Sequence, residues 1–172
     1  MRYTSAPASP AVLPHLALRD LSYKGQIYHS HGSVSRPVLE GGGKALEGSI
    51  APTGPIVVAD QLPGSSAVKA TAMDFIAAYE ERWGKGTRNP FAGYAWDAML
   101  IVKAAIPAAL KAGEPGTVEF REGLRNALEA GTEVVGTHAV YRYTPEDHYG
   151  VDQRARVLVI VKEGAFRLLA SD

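Results

Sequence analysis

Apolar residues set the first rhythm of the chain. Between Pro10 and Leu21, Val12, Leu13, Leu16 and Leu21 recur at roughly helical spacing, and Ser9 stands where an N-cap belongs. Lys24-Gly25 then turns the chain into a short strand, Gln26-Ile27-Tyr28-His29, which ends in the loop Ser30-His31-Gly32-Ser33. Gly41-Gly42-Gly43-Lys44 is a further turn. It leads to Glu47-Gly48-Ser49-Ile50 and then to Pro55–Ala59, an apolar, β-branched run. Leu62-Pro63-Gly64-Ser65-Ser66 is the sharpest punctuation in the chain.

Three helical patterns follow it. Ala67–Trp83 carries Phe75, Ile76, Tyr79 and Trp83 on one side, with Glu80, Glu81 and Arg82 on the other. Phe91–Ala112 is apolar nearly all round, which predicts burial, and Pro107 predicts a kink or a division. Thr117–Ala130 starts at a capping box, in which Gly116 or Thr117 precedes Glu119 and Phe120, and stops at Gly131. The chain then reads as a strand from Val134 feeding the polar loop Thr144-Pro145-Glu146-Asp147-His148. A closing hairpin follows, turning at Lys162-Glu163-Gly164.

The result is an α/β chain with strands at both ends and three consecutive helices between. A self-contained α/β domain usually alternates the two. Two explanations stay open: an α+β fold, or helices that belong to a sheet whose strands lie outside these 172 residues.

Composition narrows the function classes. Eighteen basic and 18 acidic residues cancel, leaving no electrostatic footprint for nucleic acid or an anionic membrane. Cysteine is absent, which removes disulfides and thiolate metal sites without identifying a compartment. Met1–Pro7 has one basic residue and no apolar core, so no secretory signal is visible, and the chain as written is expected to stay in the cytoplasm. The run Ala98–Leu110 is too short for a membrane span.

Catalytic and metal signatures are thin. His29-x-His31 places two imidazoles on one face of a strand, and Asp147-His148 might complete a metal set, but nothing in the spacing brings the pairs together. Gly41-Gly42-Gly43-Lys44 lacks the Ser or Thr that a phosphate loop needs after the Lys, since Ala45 stands there. There is no nucleophile elbow. Glu80-Glu81 and Glu146-Asp147 read as solvated charge rather than paired catalytic carboxylates. Tyr79, Tyr94 and Trp96 read as core packing before ligand stacking, and Asp147-His148 as a loop fixed by side-chain to backbone hydrogen bonds.

Several segments, in order, resemble the C-terminal end of the periplasmic solute-binding proteins of branched-chain amino-acid type that serve ABC importers. They are Tyr23–Tyr28 before Ser30-His31-Gly32, Gly43–Gly48, Asp60–Pro63 and Phe91–Ala98. Phe120–Leu124, and Gly136-Thr137-His138 through Asp147–Gly150, complete the set. The resemblance implies an incomplete type I periplasmic-binding-protein fold, a two-lobe three-layer α/β sandwich. On that plan residues 1–60 form the last part of the second lobe and 61–132 the helical end of the first. Residues 133–172 return to the second lobe with its closing hairpin.

The resemblance further implies ligand contacts at Ser30, His31 and Gly32, and more loosely at Ala6 and Pro7 within Ser5–Ala8. Family members with amino-acid ligands often carry an acidic residue where His31 stands, to pair with the ligand's ammonium. A histidine suits a carboxylate, an aromatic acid or an amide better. The function implied is that of the substrate-binding component of an ABC importer, present as a C-terminal fragment. It would take a small amino-acid-like or organic, even aromatic, acid in an interlobe cleft and pass it to membrane permease subunits. No enzyme activity, cofactor, metal or nucleic acid belongs to this reading. The parent family is periplasmic, and helix faces left bare by truncation would promote self-association. Two other readings stand beside it: a cytoplasmic ligand sensor on the same scaffold, and a free-standing α+β enzyme or metal protein.

Overall fold

The computed structural model describes residues 2–4 and 9–169. A five-stranded sheet runs in the order β1 (Arg2–Thr4), β2 (Ile27–His29), β3 (Ile50–Thr53), β6 (Val157–Lys162), β7 (Ala165–Leu168). The first three strands are parallel, with Thr4 beside His29 and Tyr28 beside Ile50. β6 returns antiparallel to β3, Thr53 pairing with Val157, and β7 closes the edge. A separate two-stranded ribbon pairs β4 (Val134–Val135) with β5 (Val140–Tyr141).

The closing hairpin forms where the sequence puts it. Glu163 and Gly164, at φ 55° and 70°, make the two-residue turn whose positive angles match the twist of the strands. The Glu47 carboxylate accepts both turn N–H groups, at 3.0 and 2.7 Å.

The helices are α1 (Val12–Asp20), α2 (Arg36–Gly42), α3 (Lys69–Trp83), α4 (Pro90–Ala112) and α5 (Val118–Leu128). As expected, three of them follow one another between the outer strands. Ser9 does not cap α1 directly; it opens a 3-10 turn, Ser9–Ala11, that leads into the helix. The short α2 has no signal in the pattern, because two glycines end it within seven residues. The run Pro55–Ala59 is not extended: it lies in a 3-10 segment, Pro55–Gln61, and the strand lies just before it at Ile50–Thr53. Thr117 caps α5 by accepting from the Phe120 N–H at 3.1 Å, so the N3 residue is Phe120 and the reciprocal glutamate contact of a full capping box is not made.

α4 departs most from expectation. It runs unbroken through Pro107, and it is largely uncovered. Met99, Val102, Ile106 and Leu110 are between 37% and 52% exposed, while Gly93, Asp97, Ala105 and Ala109 make the buried edge. At 23 residues it is longer than the run Ala98–Leu110 and meets the length and composition of a membrane span. The Ala109 end of its buried edge packs on α5, where a Cβ at Gly123 would come within 2.6 Å of the Ala112 side chain, and the Gly93 and Asp97 end packs on residues 136–141.

The core has three clusters. Val12, Val38, Leu46 and Val161 join α1 and α2 to the sheet, and Val34, Ala51, Val58 and Val159 fill its middle. Ile56, Leu62, Phe75, Ile76 and Val140 anchor α3. Each such fully buried side chain contributes about 1.5–3 kcal/mol.

Candidate functional site

β2 alternates in burial, so Ile27 and His29 point into the core while Tyr28 is half-buried. The strand ends at His29 and His31 lies beyond it in a 3-10 turn, so the two imidazoles do not share a strand face, and among the described residues they join no group that could hold a metal. His15 Nε2 lies 2.7 Å from the Ala45 carbonyl, which can only accept, so this nitrogen carries the hydrogen. His15 Nδ1 is thus the acceptor, at 2.9 Å, for the N–H of His29 Nε2. Burial holds both imidazoles below their ordinary range; His29 is lowered to about 4, with His15 as the second cause. This pair is a neutral core link between α1 and β2.

At the carboxyl end of β2 the chain leaves the sheet through extended Ser30 and enters a 3-10 turn, His31–Ser33. Ligands collect at this edge of open α/β sheets. The His31 ring sits 5.7 Å from both Phe91 and Tyr94, edge-on to Tyr94 at 81°. Burial pushes its pKa down, against the opposing effect of a hydrogen bond to the Pro52 backbone. His31 is therefore neutral at pH 7, and its Nε2 has no protein partner. Gly32 lies in the same turn, which brings Ser30, His31 and Gly32 together. Ala6 and Pro7 lie outside the described residues.

The opposite wall is the first turn of α4. Asn89 caps it, its side chain accepting from the Phe91 N–H at 2.8 Å, and Pro90 follows at the first helical position. Phe91 and Tyr94 are 50% and 39% exposed. Tyr94 stacks on His138, with centroids 3.7 Å apart and planes 6° from parallel. His138 donates from Nε2 to the Pro90 carbonyl at 2.9 Å, and burial lowers its pKa despite that bond and the nearby Asp97.

Asp97, one turn further along α4, is 1% exposed and accepts three hydrogen bonds. They come from the N–H groups of Thr137 (2.6 Å) and His138 (3.0 Å) and from the Tyr141 hydroxyl (2.8 Å). Burial, then the bond to Asp97, drives the Tyr141 pKa strongly upward. The carboxylate is consumed in fixing residues 136–141 and does not face the corner.

The corner as built offers two aromatic rings beside a neutral imidazole, with His138 stacked behind Tyr94. Such a surface binds and orients a flat organic molecule. Sequence reasoning placed His31 here but passed over Phe91 and put Tyr94 in the core. The readable signal was an aromatic pair, Phe91 and Tyr94, directly after the cap Asn89-Pro90. Tyr79 and Trp96 do pack, both against Phe75. The Asp147 carboxylate fixes its loop as expected, accepting from the N–H groups of Tyr149 and Gly150.

No family model and no curated protein matches the chain. Solved structures do. An extracellular ligand-binding receptor from Rhodopseudomonas palustris HaA2 is 35% identical with a TM-score of 0.92, over 98% of this chain and 48% of that one. A periplasmic binding protein type 1 from Bordetella pertussis shares the fold at 19% identity and TM-score 0.74, over 97% of this chain and 45% of that one. A leucine-binding protein from Thermotoga maritima shares it at 22% and 0.67, over 98% and 43%. The chain spans about half the length of the structures it matches. It belongs to the extracellular ligand-binding receptors of type I periplasmic-binding-protein fold, the family of the branched-chain amino-acid type substrate-binding proteins.

Proposed function

We propose that this chain supplies one wall and the hinge floor of a solute-binding cleft, in a protein that captures a small organic acid or amide outside the cytoplasmic membrane and delivers it to ABC permease subunits. Binding, without covalent chemistry, is its role. The division into a second-lobe part (1–60 and 133–172) and the helical end of a first lobe (61–132) belongs to the same proposal. The observation that carries it is the neutral His31 ring held between Phe91 and Tyr94 at the carboxyl end of β2. An amino-acid ammonium finds no carboxylate there, since Asp97 is already bound by three donors. An aromatic acid or amide finds rings to stack on and an imidazole that can share a proton.

The test is thermal-shift and calorimetric titration of the 172-residue chain with leucine, phenylacetate and benzamide. Stabilisation by either aromatic compound that disappears in His31→Ala supports the reading. Binding of leucine that is indifferent to His31→Ala would sink the ligand class. No stabilisation by any of the three would sink binding by this chain alone.

A further inference from the structure

A second crevice, of about 340 Å³, has none of His31, Phe91, Tyr94 and His138 in its lining and meets the wall of the His31 corner only at Asn89 and Pro90. One wall comes from the start of α2 and from β7; the other comes from the 3-10 segment 55–61 and the loop joining α3 to α4. Three guanidinium groups line it, on Arg36, Arg88 and Arg167, against one carboxylate, Asp60. They are not equivalent. Arg88 is held by Asp60 at 2.8 Å and by Glu80 at 3.2 Å, at 29% exposure, so it is a fixed structural cation. Arg36 pairs with Glu40 one helical turn on, both side chains more than 60% exposed. An exposed i,i+4 pair contributes little, so Arg36 is readily drawn away. Arg167 has no ion pair among the described residues.

The Ser35 hydroxyl adds an independent sign. Ser35 lines the same crevice, and its hydroxyl is buried and without a hydrogen-bond partner, although the residue stands immediately before α2 where a serine usually caps. A buried hydroxyl without a partner is costly, so turning the Ser35 side chain out to a ligand oxygen is favoured. Guanidinium groups match carboxylate and phosphate oxygens two at a time, and a hydroxyl completes such a set. The volume is at the lower end of the range for small-molecule sites.

We propose that this crevice is a second binding site, for a small organic anion bearing two acidic groups, held by Arg167, Arg36 and the Ser35 hydroxyl. The two walls are already joined, since the Gln61 side chain donates to the Phe166 carbonyl at 3.3 Å and accepts from the Leu168 N–H at 2.8 Å, so the crevice is preformed for its anion.

The test maps backbone amide shifts of the 15N-labelled chain during titration with malonate, at ionic strength held constant with sodium chloride. The expected result is saturable shifts confined to Ser35, Asn89 and Gly164–Arg167. Arg167→Gln should weaken binding by about ten-fold or more, the loss of one charge-assisted contact. Arg121→Gln, on the distant α5, should leave it unchanged. Arg167 is exposed, so the variant should keep the wild-type melting temperature. Shifts that track ionic strength alone, that spread over surface arginines generally, or that survive the double variant Arg36→Gln/Arg167→Gln would overturn the proposal. His31→Ala should leave malonate binding intact, which separates this site from the corner ligand.

Discussion

Tyr94 lies flat on His138, 3.7 Å between centroids, while the same ring meets His31 at 81° and 5.7 Å. One side chain of α4 thereby touches both the turn after β2 and the segment that leads into β5. The corner around His31 and the floor formed by residues 136–141 are physically continuous through it. Changes on either side of Tyr94 should be felt on the other.

Gly54 sits tightest against that floor. A Cβ built there would fall on the His138 imidazole, far inside contact distance, and the backbone on both sides is fixed. Gly54→Ala should destabilise the fold by about 2 kcal/mol or more by overpacking. Adding His138→Ala should recover part of that loss, because the second change removes the atoms in the way. Urea denaturation of the two single variants and the double gives the coupling. Strict additivity would mean that the imidazole is not what Gly54 makes room for.

Asp97 should be the most sensitive polar residue in the chain. Asp97→Ala leaves two backbone N–H groups and the Tyr141 hydroxyl buried without an acceptor. At about 1–3 kcal/mol for each orphaned group, a loss of at least about 3 kcal/mol is expected, again by urea denaturation. Asp147→Ala removes two bonds of a solvent-exposed loop and should cost about 1 kcal/mol or less. Equal costs for the two would contradict the role given to Asp97.

How much of this was readable beforehand depended on whether the cause was local. The Glu163-Gly164 turn and the start of α5 at Thr117 follow from φ requirements and caps, and both were legible. So was the coarse order, strands at both ends with three consecutive helices between, but not α2 or the break of the strand from Val134 into β4 and β5. The burial of α4 was not. Its pattern is apolar on every side, which periodicity cannot resolve into a covered and an uncovered face. Phe91 and Tyr94 became site residues only through tertiary contact with His31, and no spacing joins positions sixty residues apart. The 3-10 course of Pro55–Ala59 was hidden for a similar reason. β-branched composition suggests a strand, but Gly54 leaves the sheet and burial against α3 decides the rest.

Acid should weaken the fold through the His15–His29 link. The imidazole of His29 has a pKa of about 4 in the folded state against 6.5 for the free side chain, so the unfolded chain takes up the proton first. Stability is therefore unaffected by this group above pH 6.5, falls as the pH drops from 6.5 towards 4, and levels off below that. The contribution is about 3 kcal/mol across the window. The double variant His15→Phe/His29→Leu should reduce the pH dependence between those limits and leave the share of His31 and His138, whose imidazoles burial also holds below their ordinary range. An unchanged slope would assign the acid sensitivity to other groups.

The uncovered face of α4 yields the last prediction. Met99, Val102, Ile106 and Leu110 fall three or four residues apart and form one stripe, with exposures of 41%, 42%, 37% and 52%. Beside them an apolar groove of about 510 Å³ runs between α4 and α5, floored by Ala98, Ile101, Val102, Leu124 and Leu128. Contiguous apolar surface of this kind marks an interaction face on a soluble protein. The 172-residue chain should therefore self-associate as its concentration rises, which sedimentation velocity will read. Val102→Glu/Ile106→Lys should shift the distribution to monomer without lowering the melting temperature, because neither side chain is buried in the fold. Charging Leu13 and Leu21, which are more exposed but lie apart from the stripe at 68% and 81%, should not. A monomeric wild-type chain at all concentrations, or association that survives the α4 charges, would remove the stripe as the cause.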